Sequence, residues 1–154
     1  MSDNNMNKQQ RLTDILFDHW NNVRGERLFP SRGQIDEFFL QKKGVWDDVF
    51  IIDVHPLVQS NGYNAVYSGK NLKQEFVKDV SGKWVKNLVM GFLDNASDKY
   101  NIVAEQKRPL QEDEVFTSPE TGVIIKYRQI LLPLGPRDDE PVNVIIGGMR
   151  LVHE

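Results

Sequence analysis

A chain of 154 residues with 19 basic and 22 acidic side chains fits one domain, and its formal charge of −3 lacks the basic excess that electrostatic binding to nucleic acid requires. A domain of this size buries roughly 70% of its unfolded surface, enough for a core without a covalent staple. The absence of cysteine excludes disulfides, thiolate zinc sites, thiol nucleophiles and a cysteinyl-flavin adduct.

Residues 1–7, rich in Asn, are expected to fray, leaving a single domain over residues 8–154. The N-terminal stretch holds no apolar signal core, and no run approaches the ~20 apolar residues of a membrane span. A cytoplasmic protein without a membrane span is therefore expected.

Leu12, Ile15, Leu16, Trp20 and Val23 recur at helical spacing, with Asp14, Asp18, Asn21 and Asn22 on the remaining surface, so an amphipathic helix is predicted. His19 falls inside the apolar stripe and Phe17 outside it. The helix thus has more apolar circumference than one packing face uses, and either a partner, such as a second copy, or a neighbouring loop covers the excess. Gly25 suits a helix end and Phe29-Pro30 prevents immediate re-entry. Ser31 and Gln34 form an S-x-x-Q capping box, with Pro30 and Ile35 as its apolar staple, and Ile35, Phe38 and Phe39 are predicted to be the buried face of the helix that follows.

After a loop at residues 42–46, the β-branched run from Val49 to Val54 reads as an interior strand stopped by Pro56. Asp53 interrupts it and must face water or be held by Arg24 or Arg32. Asn61-Gly62 signals a hairpin turn into a second strand from Tyr63 to Ser68. Beyond Gly69, residues Leu72, Glu75 and Phe76 predict a short helix leading to Ser81-Gly82. Trp84, Val85, Leu88, Val89, Phe92, Leu93 and Ala96 then describe a broad helical face, with Gly91 as a close-packing point and further turns from Asp98 to Gln106.

Leu110 to Ser118 is acidic and reads as a charge-protected edge strand, followed by a turn at residues 119–122. Two apolar strands from Val123 to Val152, joined by a turn over residues 135–141, end the domain. On the first of them Lys126 and Arg128 share one face while Val123, Ile125, Tyr127 and Leu131 share the other, which predicts one wet and one buried side. Gly147-Gly148 lacks side chains, so the N-terminal helix, a ligand or a partner can approach the backbone there. The expected fold is α+β: a five-stranded antiparallel sheet with a helical insert on one face and an N-terminal amphipathic helix.

Two strands, a helical insert and three strands make an order that resembles the PAS fold. Trp20 with Arg24-Gly25, Pro30-Ser31-Arg32, Ile35-Asp36 and the strand Phe50 to Val54 resemble the opening of the single-domain PAS-like proteins widespread in alphaproteobacteria. Tyr67-Ser68-Gly69, Ser81-Gly82 and Leu131-Leu132-Pro133-Leu134 resemble later steps of that family, while Glu37-Phe38-Phe39 departs from the proline expected after Ile35-Asp36. The resemblance implies a non-catalytic sensory or regulatory module that binds a small ligand or a protein and acts on a signalling protein in trans, with a homodimer through the N-terminal helix as one arrangement.

Tyr67, Phe76, Trp84, Leu88, Phe92, Tyr127 and Ile145 are the residues that would line a ligand cavity between sheet and helices, or else they fill the core. No cofactor is identifiable. PAS haem sensors carry a histidine in the insert, and residues 71–108 have none, which argues against haem. His19, His55 and His153 stand in separate elements without metal-ligand spacing. Arg24, Arg32, Asp36 and Asp53 are read as a buried ionic cluster with a structural role. Two alternatives remain: a ligand-free adaptor using Phe17, Phe38 and Phe39, and a small enzyme using Asp47, Asp48 or Asp53 near His55, for which no nucleophile or phosphate loop is evident.

Overall fold

The computed structural model describes residues 11–54, 63–74, 76–78, 84–86, 97–117, 122 and 124–151. The first helix, α1 (Leu12–Arg24), buries Leu12, Thr13, Leu16, His19 and Trp20, a stripe close to the predicted one. It ends at Gly25, whose φ of +59° and ψ of −122° suit a residue without a Cβ. A 3₁₀ turn, η1 (Arg32–Gln34), precedes α2 (Glu37–Lys42), and a second one, η2 (Trp46–Asp48), leads into β1 (Val49–Val54). There follow β2 (Tyr63–Ser68), α3 (Lys70–Gln74), β3 (Phe76–Lys78), β4 (Trp84–Lys86), α4 (Ser97–Gln106), β5 (Leu110–Thr117), β6 (Ile124–Leu134) and β7 (Val144–Leu151).

The main sheet has five antiparallel strands in the order β2-β1-β7-β6-β5. This α+β architecture, with its N-terminal helix and a helix-bearing insert between β2 and β5, agrees with the expected fold and is consistent with a PAS-like topology. The β-branched run of β1 lies between β2 and β7, which is why its first four residues are buried whichever face they point to.

Helices cover both faces of the sheet. Leu12 and Leu16 of α1 press on Gly148, and Gln111 Nε2 donates to Thr13 Oγ1 at 3.4 Å. The next residue along β5, Glu112, pairs instead with Lys99 of α4. Successive strand residues point to opposite faces, so α1 and α4 lie on opposite sides. The expected wet side of the hairpin is therefore confined to its beginning, where Lys126 is exposed and Arg128 is half-buried. From Ile130 to Leu134 the strand is buried on both sides.

Gly147 and Gly148 receive neighbours from within the fold. Gly148 seats α1, whereas the space beside Gly147 is taken by the Phe50 ring. Cross-strand partners share a face, and Phe50 stands opposite Gly147 in the register of β1 and β7.

Two predicted elements are different in the structure. Residues 84–86 form a strand paired with residues 76–78, in place of the start of a long helix and the end of a short one. Phe76-Val77 and Trp84-Val85 are aromatic and β-branched dipeptides, and mutual pairing outweighs their weak helical periodicity. The capping residues Ser31 and Gln34 close only η1, with Ser31 N–H donating to Gln34 Oε1 at 2.9 Å. Ile35 then leaves in an extended conformation, and Asp36 caps α2 by accepting from Phe39 N at 3.0 Å. The later start rotates the helix so that Leu40 is buried, while Phe38 is 64% and Phe39 36% exposed.

Candidate functional site

The face under α4 carries an internal polar group on an otherwise apolar surface. Tyr127, Gln129 and Leu131 project to this side from β6, opposite Leu151, Met149 and Gly147 of β7. The Lys99 ammonium of α4 reaches down to the Glu112 carboxylate of β5 and donates to Tyr127 Oη at 3.2 Å. Gln129 Nε2 donates to the same Glu112 oxygen at 2.8 Å. Tyr127 and Gln129 are only 2% and 1% exposed, so bulk water does not supply their hydrogen bonds. Burial opposes the charge on Lys99, but the hydrogen bonds to Glu112 and Tyr127 and their charges outweigh it and raise its pKa. Lys99 therefore stays an ammonium ion at neutral pH, and the group serves as a fixed donor and acceptor platform joining α4 to the sheet.

A second polar constellation lies where η2, α3 and the end of β7 meet. Asp48, 5% exposed, accepts on Oδ2 from Arg150 Nε at 2.9 Å and on Oδ1 from Asn71 Nδ2 at 3.0 Å. The close approach of α3 depends on Gly69, where a Cβ would stand 2.2 Å from the Asp47 carbonyl oxygen. Asp48, Asn71, Leu72, Gln74, Met149 and Arg150 border a cavity of about 500 Å³ beside this ion pair.

Of the predicted cavity residues, Tyr127 and Ile145 share the α4 face, and both are buried. Tyr67 does not join them: it stands opposite Ile51, on the α1 side, and stacks on Trp46 with ring centroids 4.9 Å apart. Burial raises its phenol pKa, helped by the charges of Asp47 and Glu37. Phe76 and Trp84 are end residues of the paired strands β3 and β4. Leu88 and Phe92 lie outside the described residues, as do the predicted tail at 1–7, Asn61-Gly62, Ser81-Gly82, Gly91, His55 and His153.

Two of the four members of the expected buried ionic cluster lie at the surface. Arg32 and Asp36 are exposed, and Asp36 caps α2. Arg24 donates from Nε to Asn21 Oδ1 at 2.8 Å and from Nη1 to the Arg27 carbonyl at 2.7 Å, with its guanidinium 5.3 Å from the Trp20 ring centroid. Asp53 is half-buried, in register with Asn64 on one side and Val144 on the other. Helix α1 packs on β6 and β7, and Arg24 at its end is engaged by groups of its own and the following turn, Asn21 and Arg27.

The other residues of the motif hold that junction. Trp20 Nε1 donates to the Pro133 carbonyl at 2.9 Å, Gly135 N–H to the Pro30 carbonyl at 3.0 Å, and Arg27 Nη2 to the Gly135 carbonyl at 2.9 Å. Phe17 is half-buried against the core, its ring 5.8 Å from that of Trp20. That neighbour stands one turn along the same helix, so it is neither the loop nor the second copy expected above.

Sequence reasoning missed Lys99, Glu112, Gln129, Asn71 and Arg150. A signal existed for Gln129, which shares strand parity with the apolar Tyr127 and Leu131. Glu112 gave none, since a carboxylate in an acidic edge strand reads as solvated. Among the described residues no group of three or more His, Cys, Asp or Glu side chains could hold a metal ion, and no helix is long and apolar enough to cross a membrane. No protein-family model matches the chain, and no curated protein matches it.

Proposed function

We propose that this chain is a PAS-like sensory or regulatory module, non-catalytic, that binds a small ligand or a protein partner and passes the change to a signalling protein in trans. The observation carrying this reading is the Lys99–Glu112–Tyr127–Gln129 network, which ties α4 to the strands of a sheet with PAS-like order. A ligand or partner that competes for one of these hydrogen bonds shifts α4 relative to the sheet, and the free energy available for that shift is its differential affinity for the two positions. The acidic candidates do not favour an enzyme: Asp47 is exposed and Asp48 is held by Arg150 and Asn71.

Native mass spectrometry of protein purified from its host tests the reading, combined with hydrogen exchange of α4 before and after removal of any bound species. A retained small mass or protein whose loss speeds exchange over residues 97–106 supports it. An empty protein with unchanged exchange in host lysate refutes it. The exposed Phe38 favours a second reading, a ligand-free adaptor that meets a protein through α2 or pairs with its own copy. Loss of co-purifying protein in Phe38→Ser, with no small mass in the wild type, selects that alternative.

A further inference from the structure

We propose that the cavity bounded by η2, α3 and the end of β7 binds a small organic monoanion, a carboxylate, through the outward edge of Arg150. Its volume of about 500 Å³ falls within the ~300–1,000 Å³ usual for small-molecule sites. The buried wall is Asp48, whose Oδ2 takes both Nε and Nη2 of Arg150 at 2.9 Å. Both donors lie on one edge of the guanidinium, so Asp48 sets its orientation and leaves the N–H groups of the opposite edge unengaged by it. The Arg150 side chain is 48% exposed, against 8% for Asp48, which places the cation toward the opening and the anion behind it. A planar fork held in this way matches a carboxylate with little further loss of side-chain freedom.

The rest of the lining fits the same ligand. The Asn71 amide, anchored by Asp48, keeps a second N–H, and the Gln74 amide adds another donor. Leu72 and Met149, 4% and 1% exposed, give an apolar floor for the carbon part of the ligand. Lys43, Lys70 and Lys73 adjoin lining residues in the chain, against the acidic neighbours Asp47 and Glu75, so the sequence around the lining carries a small excess of positive charge. Inorganic phosphate has no carbon part to lie on the Leu72 and Met149 floor, so it forgoes the apolar contact that an organic carboxylate makes there. Gly69 makes the site possible, because a side chain there would push α3, and with it Asn71 and Gln74, away from η2. The inference goes beyond the sensory reading: the cavity shares no lining residue with the Lys99 network and binds its anion whether or not occupancy is signalled.

The test is a titration of the ¹⁵N-labelled chain with sodium benzoate and, separately, sodium phosphate, against sodium chloride of equal ionic strength. Benzoate is expected to give saturable shifts at the Arg150 Nε–H and the Asn71 and Gln74 side-chain amides, with Kd of about 1 mM, and phosphate to bind more weakly. Arg150→Lys, which keeps the charge for Asp48 but loses the fork, should weaken benzoate about tenfold. Gln74→Leu leaves the ion pair intact and should weaken it severalfold, deciding the matter if Arg150→Lys fails to fold. Absence of saturable shifts at these groups, tighter binding of phosphate, or unchanged affinity in the variants overturns the proposal.

Discussion

Adding one methyl group at Gly147 tests whether the centre of the sheet is packed as described. An ideal Cβ there would lie 2.3 Å from Phe50 Cζ, 2.6 Å from Cε2 and 2.8 Å from Cε1. Phe50 is fully buried, so its ring can yield only by displacing other core residues. Overpacking of this kind costs about 1–3 kcal/mol, offset by the ~0.5–1 kcal/mol that alanine gains over glycine inside a strand. A 2.3 Å approach calls for the upper half of the overpacking range, so Gly147→Ala should lose about 1–2.5 kcal/mol net of those two terms.

The adjacent residue is the control. A Cβ at Gly148 meets Leu16 Cδ2 at 3.1 Å and Leu12 Cδ1 and Cγ at 3.2 Å, so these buried leucines need to give by only a few tenths of an ångström, far less than the Phe50 ring must. Gly148→Ala should stay within about 0.5 kcal/mol of the wild type, because the strain and the alanine gain nearly cancel. Urea unfolding followed by tryptophan fluorescence measures both, provided the slope with denaturant is unchanged. Phe50→Leu should recover part of the loss in the Gly147→Ala background, a coupling that a double-mutant cycle isolates. Equal stability of the two alanine variants, or no coupling with Phe50, refutes the packing argument.

Trp20→Phe keeps an aromatic ring but deletes the N–H that donates to the Pro133 carbonyl and part of the buried indole, and should lower the unfolding free energy by about 2–3 kcal/mol through the lost bond, the buried acceptor left without its partner and the space vacated. Lys99→Met should cost about 1–2 kcal/mol in urea and speed exchange over α4, since the Glu112 carboxylate loses its cation while only partly open to water; unchanged exchange would mean that apolar contacts alone hold the helix. His19 supplies a pH dependence. Its Nε2 accepts from the Asp36 N–H at 2.9 Å, and its ring stacks on Phe39. Burial lowers its pKa against the opposing charge of Asp36, so the folded state favours the neutral ring. That stability is fully present above the ordinary imidazole value of about 6.5 and is lost as pH falls from there through the depressed folded value. The urea midpoint of the wild type should drop more between pH 7.5 and pH 5 than that of His19→Gln, and parallel curves would contradict the assignment.

Some of this was legible along the chain. The stripe of α1, the β-branched run of β1 and the two strands of the final hairpin follow from local periodicity, because a face repeated over two or more turns, or a continuous apolar run, has one sensible packing. The missing cysteine settled the thiol chemistry by composition alone. Tertiary structure decided the rest. Phe38 and Phe39 turned outward because α2 starts at Glu37, a helix phase set by where Ile35 leaves η1. Tyr67 parted from Tyr127 because cross-strand register assigns faces, and no property of either residue carries that information. Lys99 met Glu112, and Arg150 met Asp48 across 102 positions of sequence, through contacts that only the assembled sheet creates. The glycine pair marks the boundary between the two kinds of knowledge. That side chains vanish at Gly147 and Gly148 is written in the sequence, but which neighbours enter the space, Phe50 on one face and α1 on the other, depends on the pleat and register of the folded sheet.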